Sequence, residues 1–508
     1  MKKLLALVAC LFLSWNTYAQ NQTISPLNLS FEETENNLPK GWYISGSPSY
    51  KANIDAKIVQ NGRNALLIEG NGGYKIITLG LPHNYTGKKI TFSGYIKTEN
   101  ISDGQAALWM RIDPKIAFDN MQDRGIKGTT DWQKAEITLS LNPEATDQIL
   151  IGAMLSGSGK MWIDNFKVTI DGTDIKDAKF IIKTVDQKEA LDTLNSIIEA
   201  TKNNSIYKNN VNWNELIPEV QKALNPNTNN VFNAVKPAVA LMLDKLNDNH
   251  SFLKSKNASV GRLNPVNLYS RVNQETMEAL NTSKGSINIQ KLEKKIGYIS
   301  IPGMSTSQKD GEREEQVKKL GQALRDSLCK LNLKDLKGII VDLRLNTGGN
   351  MYPMISGIAP LLGNGKAGSF VDNGKILNSW FIKDGSLLVN DNAYITLQNN
   401  CNPGKNIKIA LLIGPATASS GEATAISFIG KKNVKLIGEK TTGLVSANNS
   451  IKISEDLYYL LSSSYEADRN NKEYKESILP DVEITGGDNF KDLLKDKKIL
   501  SAIQWIKQ

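Results

Sequence analysis

The spacing of apolar residues along this chain changes twice, and each change demands a different architecture. From about 24 to 172, short runs such as Lys89-Ile90-Thr91-Phe92-Ser93-Gly94-Tyr95-Ile96 alternate apolar and polar residues between Gly, Asn and Asp turn clusters, the pattern of half-buried strands in a sandwich. From Asp186 the apolar positions Leu191, Leu194, Ile197 and Ile198 recur at helical spacing, and Asp186 with Glu189 makes a capping box. Trp213, Leu216, Ile217, Val220 and Leu224 form a second helical face, and Phe232, Val235, Val239, Met242, Leu243 and Leu246 a third. From about 290, unbroken apolar strands at 296–301, 338–342, 409–413 and 434–438 alternate with helices at 312–328 and from about 421. Strands apolar on both faces are buried on both faces, which predicts an α/β layer architecture. The expectation is therefore a multidomain chain: an all-β sandwich at 24–172, a small helical unit at 186–262 and an α/β core at 286–508.

A length of 508 residues suits about three domains. With 40% apolar and 22% charged residues, the composition is that of a globular protein and excludes a disordered, collagenous or multi-span membrane chain. The net charge of +9 is spread along the length, whereas nucleic acid calls for a concentrated basic stripe. Lys2 and Lys3 precede an apolar stretch at 4–13 and small and polar residues to Ala19. This reads as a signal peptide at 1–19, with an apolar run about half of what a spanning helix needs. The expected destination is periplasmic or extracellular, with lipoprotein anchoring through Cys10 as the alternative. Without Cys10, Cys329 and Cys401 remain: enough for one disulfide, not a disulfide framework, and without metal-ligand spacing. Cys329 falls in a helical pattern and is expected to be a small core residue.

Two strand ends are rich in residues that carry chemistry. Strand 338–342 runs into Leu343-Arg344-Leu345-Asn346-Thr347-Gly348-Gly349-Asn350, and strand 409–413 into Gly414-Pro415-Ala416-Thr417-Ala418-Ser419-Ser420-Gly421-Glu422. Sites in open α/β sheets gather at the carboxyl ends of strands. A hydroxyl where a strand turns into a helix is exposed beside free N–H groups, and a Gly-Gly pair lets backbone approach a substrate carbonyl. Either segment alone reads as an ordinary Gly or Ser turn.

Taken together and in this order, "IIVDLRLNTGG", "ALLIGPATASSGEATAISF" and "LIGEKTTG", with "IGYISIPGM" and "ILPDVEI", resemble the C-terminal processing (tail-specific) serine peptidase family over roughly residues 186 to 485. The resemblance implies a serine-type peptidase that hydrolyses peptide bonds in peptides or unfolded proteins and requires no cofactor for catalysis. It implies Ser419 as nucleophile and an oxyanion hole from Ser420, Gly348 and Gly349. The best-known branch has a Lys base where this chain has Leu444, and Lys440 nearby occupies a solvated turn. The departure resembles the branch of tricorn and nisin-resistance-type peptidases, whose base is a His in an "L-x-D-x-H" setting. Leu246-Asn247-Asp248-Asn249-His250 matches that setting, and imidazole titrates near working pH. The only other His, His83, lies in the sandwich segment. A residue orienting His250 is expected at Glu473 or Glu476, with Ser251, Asp248 or a backbone carbonyl as alternatives. Glu422 is expected to shape the nucleophile turn. The stretch between His250 and the strand at 296 is too short for the PDZ module of the Lys branch.

The leading segment, from Asn28-Leu29-Ser30-Phe31-Glu32 and Gly41-Trp42 to Trp162-Ile163-Asp164-Asn165-Phe166, looks like the jelly-roll modules attached to exported enzymes. In carbohydrate-binding jelly rolls the positions of Glu32 and Asp164 often hold a structural calcium; the plainer reading of both is turn capping. Trp109, Trp132 and Trp162 suit either sugar stacking or core packing. Two rival functions follow: a non-catalytic protein holding hydrophobic ligands in the same cleft, and a glycan-binding protein acting through the sandwich.

Overall fold

The computed structural model describes residues 27–508 except 48, 82–83, 114–115, 147, 182–183, 229, 257, 266–269, 283–284, 310, 391 and 405–406. The expected signal segment with Cys10, and His83, lie outside the described residues. The chain divides into two compact units, Met1–Ile181 and Ile182–Gln508.

The first unit is the expected β-sandwich. Its long strands β1 (Ala65–Gly80), β2 (Lys89–Asp113), β3 (Ile126–Ser140) and β4 (Gln148–Ile170) are antiparallel: β4 pairs with both β1 and β2, and β3 with β2. Their alternating apolar residues meet inside, where Phe166 packs edge-on against Phe31, Trp42 and Phe92 at ring centroid distances of 5.2, 5.6 and 5.0 Å. Gly94 is required there, because a Cβ at that position would sit 2.2 Å from the Phe166 ring. Trp109 and Trp162 are buried, with their indole N–H groups donating to the Ile77 carbonyl and to Asp55; only Trp132 is partly open.

Glu32 and Asp164 both grip the loop at 60–64. Asp164 accepts the N–H groups of Gln60, Asn61 and Asn165, and Glu32 those of Arg63 and Asn64. The Arg63 guanidinium pairs with Glu32 at 3.3 Å. Calcium takes six to eight oxygens, whereas these carboxylates face N–H donors and a cation, and among the described residues no cluster of three or more acidic, His or Cys side chains surrounds them. The donor set fits a loop anchor rather than a calcium site.

The second unit joins the helical segment and the α/β core. Helix α1 (Gln187–Asn204) is capped by Asp186, which accepts the N–H of Glu189 at 2.8 Å. It packs with α2 (Trp213–Lys222) and α3 (Val231–Lys245) around Leu194, Ile198, Val220, Val239 and Leu243. Beyond the helices, β5 (Phe252–Ser255), two residues after His250, pairs with β11 (Leu457–Ala467) near the far end of the chain.

A parallel layer forms from β6 (Ile296–Ser300), β7 (Gly338–Asp342), β8 (Lys408–Ile413) and β9 (Val434–Gly438), neighbours in that order. Packed on it are α4 (Glu312–Cys329), α5 (Met351–Leu362), α6 (Ser420–Ile426) and α7 (Lys497–Lys507). A second, antiparallel sheet carries β10 (Ser446–Ser454) beside β11. At the carboxyl end of β7, buried Arg344 pairs with Asp342, Asp488 and Asp496, each at 2.7 Å, and buried Lys498 with Asp488 and Glu439 at 2.6 and 2.8 Å. This network ties the Gly-Gly turn to the C-terminal helix.

Cys329 and Cys401 form a disulfide. The helical pattern placed Cys329 in the core, but it ends α4 and is only partly covered, so it is free to meet the loop that carries Cys401.

Candidate active site

Strand β8 ends at Ile413, and the chain turns through Gly414–Ala418 into α6, with Ser419 at the junction. Ser419 holds φ 52° and ψ −121°, a left-handed conformation that costs a non-glycine residue of the order of 1–3 kcal/mol. Glu422 helps hold the turn: its buried carboxylate accepts the N–H groups of Ser419 at 2.9 Å and of Gly443 and Leu444 at 2.8 Å, and the Thr441 hydroxyl. Burial pushes its pKa up to about 7, against the lowering effect of those bonds.

The structure brings His250 to this turn across 169 residues of sequence, with Nε2 at 2.9 Å from Ser419 Oγ. The loop carrying His250 is shaped by buried Asp248, which accepts the N–H groups of His250 and Ser251 at 2.9 Å and the Ser251 hydroxyl. Burial drives the imidazole pKa down to about 4, so the ring is neutral at pH 7 and Nε2 can take a proton. The partner at Nδ1 is Ser446, with its Oγ at 2.8 Å.

Among the described residues no carboxylate is hydrogen-bonded to that nitrogen. Glu473 pairs with Lys475 at 3.5 Å and Glu476 is exposed; among the described residues neither is hydrogen-bonded to His250. Ser251 and Asp248 bond to each other and not to the imidazole. Both expected carboxylates sit on the segment beyond β11, and the nearer hydroxyl of β10 occupies the position instead. Ser446 was not singled out from the sequence, because a serine opening a polar strand carries no mark of what that strand will face. Lys440 is exposed, and its carbonyl accepts from Arg271.

On the other side of Ser419 lies the Gly-Gly turn. Gly348 and Gly349 have φ of +100° and +120°, values that favour glycine. The three expected oxyanion donors are not equivalent: the Gly348 N–H donates to Asn346 Oδ1 at 3.0 Å, while the N–H groups of Gly349 and Ser420 make no hydrogen bond among the described residues. The Ser420 hydroxyl donates to the Gly349 carbonyl at 2.9 Å, locking the two turns together. A cavity of about 200 Å³ opens beside His250, lined by Tyr207, Leu444, Val445, Tyr465 and Lys475. A hydroxyl beside a neutral imidazole, with two N–H donors on the adjoining turns unpaired among the described residues, is a set of groups that can perform acyl transfer.

Residues 295–484 match peptidase family S41, a span that holds Ser419, Ser420 and the Gly-Gly turn but not His250. The nisin-resistance protein of Lactococcus lactis subsp. lactis is 33% identical over 195 residues, covering 38% of this chain and 56% of that protein. A lipoprotein structure from Streptococcus agalactiae aligns at 22% identity and TM-score 0.46, over 63% of this chain and 96% of that one. The CBM22-1 xylan-binding domain from Paenibacillus barcinonensis aligns at 16% identity and TM-score 0.21, over 28% of this chain and 92% of that one. The chain spans about half the length of the curated relatives it matches.

Proposed function

We propose, from the match of residues 295–484 to peptidase family S41 and the geometry of the site, that this chain is an exported serine endopeptidase with Ser419 as nucleophile and His250 as general base. The observation that carries the proposal is the 2.9 Å contact between His250 Nε2 and Ser419 Oγ. Ser419 Oγ attacks the peptide carbonyl carbon while its proton passes to Nε2. The carbonyl oxygen, now an oxyanion, takes hydrogen bonds from the N–H groups of Gly349 and Ser420. The imidazolium then protonates the leaving amine, and the C–N bond breaks to give an acyl-enzyme. A water, deprotonated by His250, attacks the ester; the acid product leaves and Ser419 recovers its proton.

The substrate is a peptide or an unfolded protein segment, one of whose side chains enters the cavity beside His250. The signal segment at 1–19 delivers the chain to the periplasm or the exterior, and the disulfide suits an oxidising compartment. Among the described residues no helix is long and apolar enough to cross a membrane.

Labelling with a fluorophosphonate, followed by digestion of a proteome-derived peptide library, tests this reading. Covalent label on Ser419, and cleavage products absent with Ser419→Ala, are expected. An intact protein that neither labels nor cleaves is a binding protein using the same cleft.

A further inference from the structure

The imidazole of His250 is held from behind by hydroxyls and an amide, and these close into a ring. Ser446 Oγ lies 2.8 Å from Nδ1; the Ser446 hydroxyl donates to Ser462 Oγ at 3.3 Å; the Ser462 hydroxyl donates to Asn448 Oδ1 at 2.9 Å; and Asn448 Nδ2 donates to the carbonyl of His250 itself at 2.9 Å. Ser446 and Asn448 stand on β10 and Ser462 on the paired strand β11, and both serines are buried. The backbone of Ser462 is pinned in turn, its N–H donating to the Ser251 hydroxyl at 2.8 Å.

One fixed end and the geometry of the Ser446–Ser462 contact set the bond directions in the ring. A carbonyl can only accept, so Asn448 must present its NH₂ to His250 and its oxygen to Ser462. Ser462 therefore gives its single hydroxyl hydrogen to Asn448 and accepts from Ser446. With its hydrogen committed, Ser446 has only lone pairs for Nδ1, so Nδ1 carries the ring proton and Nε2 faces Ser419 as the free acceptor. We propose that Ser446, backed by Ser462 and Asn448, is the positioning residue that sets the base-competent tautomer of His250, using uncharged groups where other serine peptidases use a carboxylate. The proposal rests on the Ser419–His250 reading above.

Among the described residues no charged side chain is hydrogen-bonded to Nδ1. Asp248, on the loop of His250 itself, is taken up by two N–H groups and the Ser251 hydroxyl. Tyr207, Tyr465 and Lys475 line the cavity next to the ring, and Glu422 faces the nucleophile turn and the N–H of Leu444. Burial lowers the pKa of this imidazole, and a hydrogen bond with the backbone of Ser446 offsets part of that lowering.

The test is the rate of fluorophosphonate labelling of the full chain against pH, for wild type, Ser446→Ala, Ser446→Thr, Ser446→Asp and His250→Ala. Ser446→Ala should label at least about tenfold more slowly at neutral pH. Ser446→Thr, which keeps the hydroxyl on a strand, should stay within about threefold of wild type. Ser446→Asp should move the acid limb upward by about one pH unit or more, because a carboxylate at Nδ1 favours the imidazolium. Wild-type labelling by Ser446→Ala beside a dead His250→Ala would overturn the positioning role alone. Equal loss in Ser446→Ala and Ser446→Thr, with lowered melting temperature and an unmoved acid limb in Ser446→Asp, would also overturn it and leave a packing role. Undiminished labelling by His250→Ala would overturn the underlying base assignment instead.

Discussion

Gly348 lies so close to Ser419 that a Cβ built on it would sit 2.8 Å from Ser419 Cβ and 3.4 Å from its Oγ. The same Cβ would meet the Ala418 carbonyl oxygen at 2.9 Å, at a φ of +100° that L-residues rarely adopt. Gly348→Ala should therefore push the nucleophile off its contact with His250. An activity loss on the order of 10²-fold is expected, with only a modest fall in melting temperature. Near-wild-type turnover by this variant would mean that the turn moves freely during catalysis.

Two ionisations should shape the acid side of the pH–rate profile. Ionised Glu422 accepts three N–H groups and a hydroxyl around the nucleophile turn; once protonated it must itself find an acceptor, so rate should fall in part as pH drops through about 7. Rate should then vanish as His250 protonates near pH 4, because an occupied Nε2 cannot take the Ser419 proton. Glu422→Gln should remove the upper step and keep the lower one, as read from kcat/KM in a constant-ionic-strength buffer series. The sign for stability agrees for His250: with its pKa depressed from 6.5 to about 4, its contribution is present above pH 6.5 and is lost as pH falls through that window.

Breaking the Cys329–Cys401 bridge should destabilise the second unit. The bridge spans 72 residues, and loop-closure entropy for that length gives about 4 kcal/mol. A paired Cys329→Ser and Cys401→Ser variant should melt several degrees lower, and a reducing agent should lower the wild type in the same way. Labelling of Ser419 below the new melting temperature should be unaffected, since neither cysteine touches the site.

Removal of the Arg344 guanidinium takes the cationic partner from buried Asp342 and Asp496 and leaves buried Asp488 with Lys498. Arg344→Met should cost about 3–5 kcal/mol in denaturant titrations, the largest loss expected from any single change outside the apolar core. Activity should fall with it, because Arg344 stands four residues before Gly348 and holds the end of β7 in place. Arg344→Lys should recover only part of the loss, one ammonium being unable to reproduce the bonds of the guanidinium to Asp342, Asp488 and Asp496.

The elements that could be read from the sequence are those whose signal is local. Strands β6 to β9 are short apolar runs buried on both faces, Asp186 marks the start of α1, and the turn around Ser419 is punctuated by Gly, Pro and small hydroxyl residues. The antiparallel sheet with β10 and β11 was not legible in the same way. Ser446–Ser454 reads Ser-Ala-Asn-Asn-Ser-Ile-Lys-Ile-Ser, half exposed and mostly polar, with Ala447, Ile451 and Ile453 its apolar residues, and it becomes a strand through pairing with β11. The position behind the imidazole was lost for the same reason: Ser446 reaches Nδ1 only because the register sets it opposite Tyr465, a long-range choice that leaves no trace in spacing. The pairing of Cys329 with Cys401 is equally non-local. Acidic residues near the chain's end drew attention as orienting groups because charge is visible in a sequence and a hydroxyl at the right register is not.

The proposed base and nucleophile stand 169 residues apart, and the loop of His250 is anchored by β5 on β11, later in the chain than the nucleophile. A chain made from its N-terminus therefore carries the imidazole long before the serine, and carries both before the strand that brings them together. A pair that depends on that strand is completed late in synthesis. Under the proposed reading, the catalytic site therefore comes into being only with the finished fold of the second unit, whose own architecture withholds activity until then.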